Sequence, residues 1–184
     1  VTSATPRCGK TTTACNFAVG LSRHSDIRSI LFDLDLRRPA VGKYLGHHPT
    51  HGIRQLLQRK VTLQDQAVRL RANTAICAAR NPIVDPTSLL LSDSTAEVFD
   101  DIQATYKPDI MTFDLPPFLV SDDTRAFLKN VDCALVMISA GETTVSQVDI
   151  CEREISQHTN VLGVVLNADR YPEDTYGYEY EYES

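Results

Sequence analysis

Near the start of the chain, "ATPRCGKTT" stands between a short apolar run and a helical pattern. Its spacing is that of a phosphate-binding loop: Ala4 takes the place of the motif's first glycine, and Gly9, Lys10 and Thr11 follow at the required distances. Such a loop needs a strand before it and a helix after it. Backbone N–H groups of the loop and of the helix N-terminus converge on phosphate oxygens. Lys10 adds a point charge, and the Thr11 hydroxyl is placed for Mg2+.

The rest of the chain fits this demand. "SILFDLD" (29–35), "DIMTFDLPP" (109–117), "DCALVMIS" (132–139) and "VLGVVLN" (161–167) read as buried strands, with "TAICAA" (74–79) as a weaker one. Helical patterns lie between them at 9–24, 94–106, 124–130 and 144–158. Near-continuous apolar strands alternating with helices predict an α/β fold, a mostly parallel sheet flanked by helices on both faces. Residues 37–92 are loosely patterned, with "GHHPTHG" as a loop. The opening "VTSA" reads as the end of a strand whose start is missing, so the sequence is expected to be a piece of a longer protein.

Composition excludes several classes. No run of about eighteen apolar residues exists to span a membrane, and no basic-then-apolar stretch opens the chain as a secretory signal would. The five cysteines are odd in number and scattered, without a CxxC or Cys/His cluster, and read as free thiols of a reducing cytoplasm. No basic block argues for nucleic acid. Of the formal net charge of −6, five charges follow Arg170 and one belongs to the remainder. The last residues, "TYGYEYEYES", also hold tyrosines at every second position. A solvated acidic tail accounts for the glutamates but not for the tyrosines, since disordered tails are usually poor in aromatics.

Functional sites in parallel α/β folds gather at the carboxyl ends of strands. "ILFDLDLRRP" puts Asp33 and Asp35 at one such end, two residues apart and so on one face. "IMTFDLPP" puts Asp114 at another. Each could be a strand-end aspartate capping a loop. Three carboxylates beside a phosphate loop are better read as a metal and proton-transfer site.

The combination of "TSATPRCGKTT", "ILFDLDLRRP", "IMTFDLPP" and a terminal tyrosine cluster resembles the bacterial tyrosine kinases of capsule and exopolysaccharide synthesis, the BY-kinases. The similarity covers nearly the whole chain; Asn16, "HGIRQLLQRKVTLQDQAV", "DPTSLLLS", Asp123 and "LGVVLN" also sit where that family has similar residues. The discriminating element is the DxDxR pattern. Positioning and partition-type ATPases, the principal alternative, usually carry a lysine early in the loop, where this chain has Thr5, and lack a tyrosine cluster.

The resemblance implies a P-loop NTPase fold of the deviant Walker type, a kinase domain at 1–170 and a flexible tyrosine-rich tail at 171–184. It implies an ATP- and Mg2+-dependent tyrosine autokinase that regulates exopolysaccharide or capsule polymerisation and export. ATP would be held by Pro6, Arg7, Cys8, Gly9, Lys10, Thr11 and Thr12, with Arg37 nearby and Asn167 at the adenine. Mg2+ would be organised by Thr11, Asp33 and Asp114, and the tyrosine proton accepted by Asp33 or Asp35, with Asp33 preferred. Lys10, Asp33, Asp35 and Asp114 form the expected catalytic set. Tyr171, Tyr176, Tyr178, Tyr180 and Tyr182 would be the phosphorylated residues.

Its implied partners are further copies of the chain in a ring, each tail reaching a neighbour's site, a transmembrane polysaccharide co-polymerase as fused or separate activator, and a tyrosine phosphatase. The implied location is the cytoplasmic face of the bacterial plasma membrane. One position departs from the pattern: the family usually has glycine where this chain has Arg7. The expectation is a tolerated substitution; the alternatives are altered nucleotide affinity, up to a non-catalytic nucleotide-dependent scaffold, or a phosphate contact by the guanidinium.

Overall fold

A computed structural model describes residues 1–169. The elements are β1 (Thr2–Ser3), α1 (Lys10–Leu21), β2 (Ser29–Asp33), α2 (Val41–Tyr44), α3 (Ile53–Leu57), α4 (Leu63–Gln66), β3 (Val68–Arg71), β4 (Thr74–Cys77), α5 (Pro86–Leu91), α6 (Asp93–Tyr106), β5 (Ile110–Asp114), α7 (Asp122–Phe127), β6 (Cys133–Ser139), α8 (Val145–Ile155) and β7 (Asn160–Asn167). A single 3-10 turn, Leu128–Asn130, follows α7.

The strands form two hydrogen-bonded ladders, β3-β4-β2-β5 and β1-β6-β7. They meet where β1 lies against the end of β5: Leu115 N donates to Val1 O at 2.9 Å and Phe118 N to Ser3 O at 2.8 Å. Every pairing is parallel except β3 with β4. The α/β architecture expected from the alternating runs is the one observed.

Strand β2 explains why both faces are covered. All five of its residues are buried. Ile30 and Phe32 point into a core shared with Val98, Phe99 and Ile102 of α6 and with Phe113 and Phe127. Leu31, on the opposite face, packs with Ala14, Cys15 and Ala18 of α1. A strand buried on both sides cannot alternate polar with apolar residues, hence its continuous run. At the other end of the sheet, Ala134 and Val136 of β6 pack with Cys151 and Ile155 of α8.

Two details differ from the sequence reading. Strand β2 stops at Asp33, so Asp35 lies beyond it and the two aspartates are not successive same-face strand residues. The loosely patterned 37–92 region holds four short helices and an antiparallel edge strand, β3, besides β4 and the start of α5's packing on α7. Helices of four to six residues are too short to print a 3.6-residue period. The tail tyrosines Tyr171, Tyr176, Tyr178, Tyr180 and Tyr182 lie outside the described residues. Among the described residues, no helix is long and apolar enough to cross a membrane.

Candidate functional site

The loop from Ala4 to Gly9 leaves the carboxyl end of β1 and feeds α1. Two of its residues take left-handed backbone angles: Arg7 at φ 65° and Gly9 at φ 84°. Gly9 meets two demands at once. Its angle suits glycine, and a Cβ there would lie 2.2 Å from Asn167 Nδ2. Asn167, at the end of β7, donates that amide to Cys8 O at 3.0 Å and so ties the last strand to the loop. Within the loop, Ser3 Oγ donates to Thr5 O at 2.7 Å, and the buried Cys8 thiol lies 3.1 Å from the same oxygen. No side chain caps α1, which leaves its first amides available to an anion.

The carboxylates stand beside this loop. Asp33 and Asp114 are register partners across β2 and β5. Thr11 Oγ1 donates to Asp114 Oδ2 at 2.6 Å, and Lys10 Nζ contacts Asp35 Oδ2 at 2.7 Å. Asp33 Oδ2 accepts the Val41 N–H at 3.1 Å. The second oxygens of Asp33 and Asp114 are buried without a hydrogen-bond partner. Burial, then the neighbouring Asp114, pushes Asp33 up to about 7, against the opposing bond from Val41. Burial likewise raises Asp114, against the Lys10 charge and the Thr11 bond.

These orphaned oxygens test the fit of a divalent cation. Among the described residues, no group of three or more His, Cys, Asp or Glu forms a ready protein-only cage. Mg2+ does not ask for one: it typically takes one or two carboxylates, waters and substrate phosphates. Two buried, half-satisfied carboxylates and a threonine hydroxyl at the head of α1 suit that mode of binding.

Arg37 is engaged elsewhere than at the loop. Its Nε donates to Asp123 Oδ2 at 2.6 Å and its Nη2 to Asp123 Oδ1 at 3.1 Å, while the Thr87 hydroxyl donates to the same Oδ1. Asp123 and Thr87 were not among the expected site residues. They lie 86 and 50 positions from Arg37, a separation at which spacing carries no signal. Pro6 and Arg7 are exposed, and Thr12 is half-buried in the first turn of α1. An open cleft of about 850 Å3 runs beside Thr5, Pro6 and Arg7, with Ser139, Gly141 and Ala168 on its far side. A second cavity, about 920 Å3, lies at the amino ends of β5 and β6 and contains none of the site carboxylates.

No protein-family model matches the chain. It is 28% identical over 181 residues to the tyrosine-protein kinase YwqD of Bacillus subtilis, covering 97% of this chain and 75% of that protein. It is 27% identical over 191 residues to the tyrosine-protein kinase wzc of Salmonella typhi, covering all of this chain but only 26% of the longer protein. The crystal structure of the VpsO kinase domain superposes with a TM-score of 0.82 at 28% identity, over 90% of this chain and 81% of that one. The resemblance read from the loop and the aspartate pair therefore extends over most of the chain.

Proposed function

We propose that this chain, whose relatives are named tyrosine-protein kinases, is an ATP-dependent kinase domain that phosphorylates its own C-terminal tyrosine cluster. The observation that carries the reading is the meeting of Lys10, Thr11, Asp33, Asp35 and Asp114 around the loop. Phosphoryl transfer asks a protein mainly for positioning and charge stabilisation, and these residues supply both.

In this reading the loop amides and Lys10 hold the β- and γ-phosphates. Thr11 and Asp114 would hold Mg2+, which would neutralise phosphate charge, and Asp33 stands beside them. The tyrosine oxygen attacks the γ-phosphorus, the bond from phosphorus to the β–γ bridging oxygen breaks, and ADP leaves with that electron pair. The phenolic proton passes to a carboxylate. Asp33 is favoured over Asp35 for this role because one of its oxygens has no partner, whereas Asp35 already meets Lys10 and the Arg38 N–H. Arg37 is here a structural residue rather than an ATP contact, since its fork is turned to Asp123. Asn167, bonded to the loop, would border the adenine.

The substrate segment, 171–184, lies outside the described residues; its candidacy rests on sequence. Each phosphate there would add about −1.5 to −2 charges beside the glutamates. Mutual repulsion would then loosen a ring in which each tail occupies a neighbour's site. Control of capsule or exopolysaccharide polymerisation, a transmembrane activator and an opposing phosphatase belong to the same proposal.

The competing reading is an ATPase of the positioning or partition type. Incubation with Mg2+ and γ-labelled ATP separates the two. The kinase reading expects label on tyrosine within 171–182; label released only as inorganic phosphate would favour the ATPase.

A further inference from the structure

Asp123 is wholly buried in the first turn of α7, yet it is an acid. Its carboxylate receives both arms of the Arg37 fork and the Thr87 hydroxyl. Burial pushes it up, but the bonds from Arg37 and Thr87 outweigh burial and hold it below the ordinary carboxylate range. Three segments far apart in sequence thus meet on one charge: the loop after β2, the start of α5 and the start of α7. Helix α7 is itself fastened to the segment just after β5, because the Thr124 hydroxyl donates to Pro116 O at 2.7 Å.

Arg37 stands two residues beyond Asp35, past the last bond between the two strands, Leu34 N to Asp114 O at 2.9 Å, and one residue after the buried Leu36. An exposed ion pair would do little to fix such a stretch. A bidentate pair on a buried carboxylate is stronger and orients both partners.

We infer that Asp123 is a positioning residue: through Arg37 it fixes segment 33–37 so that Asp33 and Asp35 are held against the phosphate loop. It touches neither nucleotide nor tyrosine. The consequence for rate rests on the kinase reading, but the restraint on segment 33–37 does not.

The test uses the full chain with Asp123→Asn, Arg37→Lys and the double substitution, each checked for folding by thermal unfolding. Arg37 is half exposed, so Arg37→Lys keeps the test open if Asp123→Asn does not fold. Losing an orienting partner of this kind typically lowers activity about 10–100-fold. Each single variant is expected to lose that much kcat for phosphotyrosine formation, with the KM for ATP nearly unchanged and the double variant no worse than the poorer single. Amide hydrogen exchange at residues 34–38 should quicken in both singles.

Losses that multiply in the double variant, or a kcat per folded molecule equal to wild type, would overturn the inference. So would a rise in KM on Arg37→Lys alone, which would return Arg37 to the nucleotide. If the wild-type protein forms no phosphotyrosine, the kinase reading fails separately. The exchange measurement then decides: quickened exchange at 34–38 in both variants supports the clamp, and unchanged exchange refutes it.

Discussion

Lys10 Nζ lies 2.7 Å from Asp35 Oδ2, and the two side chains are only 12% and 7% exposed. The lysine of the phosphate loop is therefore paired with a carboxylate, and this pair ties the loop to the segment after β2. A phosphate bound at the loop would compete with Asp35 for it.

Removing Lys10 should have two separable effects. Lys10→Met abolishes phosphoryl transfer and destabilises the protein by about 1–3 kcal/mol, because Asp35 is left buried without its counter-ion. Adding Asp35→Asn recovers most of that stability and none of the activity. Chemical denaturation and a phosphotyrosine assay on the same samples check both parts; recovery of activity in the double variant would place Lys10 outside the phosphate site.

Gly9→Ala should disable the loop. The new Cβ would fall 2.2 Å from Asn167 Nδ2 at a φ of 84°. The left-handed angle alone costs about 1–2 kcal/mol for a non-glycine residue, and Asn167 must also give up its bond to Cys8 O. Nucleotide binding, followed by calorimetry, is expected to fall at least tenfold, about 1.4 kcal/mol. Unchanged affinity would mean that nucleotide does not use this loop geometry.

Arg7→Gly should act in the opposite direction. Arg7 carries φ 65°, so the position needs the angles glycine provides. Relief of about 1–2 kcal/mol is partly offset by the greater chain entropy of glycine, about 0.5–1 kcal/mol. Urea denaturation should show equal or slightly higher stability, with transfer activity kept or raised. A large fall in rate would make the guanidinium a working phosphate ligand.

Stability of the metal-free protein should fall as pH rises towards 7. Asp33 is raised from its ordinary 3.8 to about 7 in the folded chain, first by burial and then by Asp114. Between those two values the folded state binds the proton more tightly than the unfolded one. Folding is thus favoured at the acid end of the window, and the advantage is lost as pH climbs through the folded value. One proton contributes at most about 1.4 kcal/mol per pH unit. Melting temperatures between pH 5 and 8 should fall in wild type and fall less in Asp33→Asn. Equal slopes would show that Asp33 does not titrate there.

Much of the fold was legible because its signals are local. The run 29–33 is apolar throughout because both faces of β2 are covered. The loop and α1 follow one another directly, and the acids at the ends of β2 and β5 each close a local apolar run. What stayed hidden is non-local or too short to be periodic. Nothing near Arg37 in sequence announces Asp123 or Thr87. The four residues of β3 alternate apolar Val68 and Leu70 with Arg69 and Arg71, but the run is too short to mark a strand. The sequence marked Arg7 as a departure, but only the backbone showed that the departure sits at a left-handed angle. Likewise Asp35 was read as a strand residue, and it reaches Lys10 from the loop beyond.

The most direct test of the central claim mixes two proteins. One carries Lys10→Met and an intact tail; the other keeps its active site but has Tyr176, Tyr178, Tyr180 and Tyr182 changed to phenylalanine. With Mg2+ and ATP, phosphotyrosine should accumulate on the Lys10→Met chain, at a rate that rises with total concentration. If that chain stays unmodified while ATP is consumed, the chain is not a kinase acting on the tails of its neighbours.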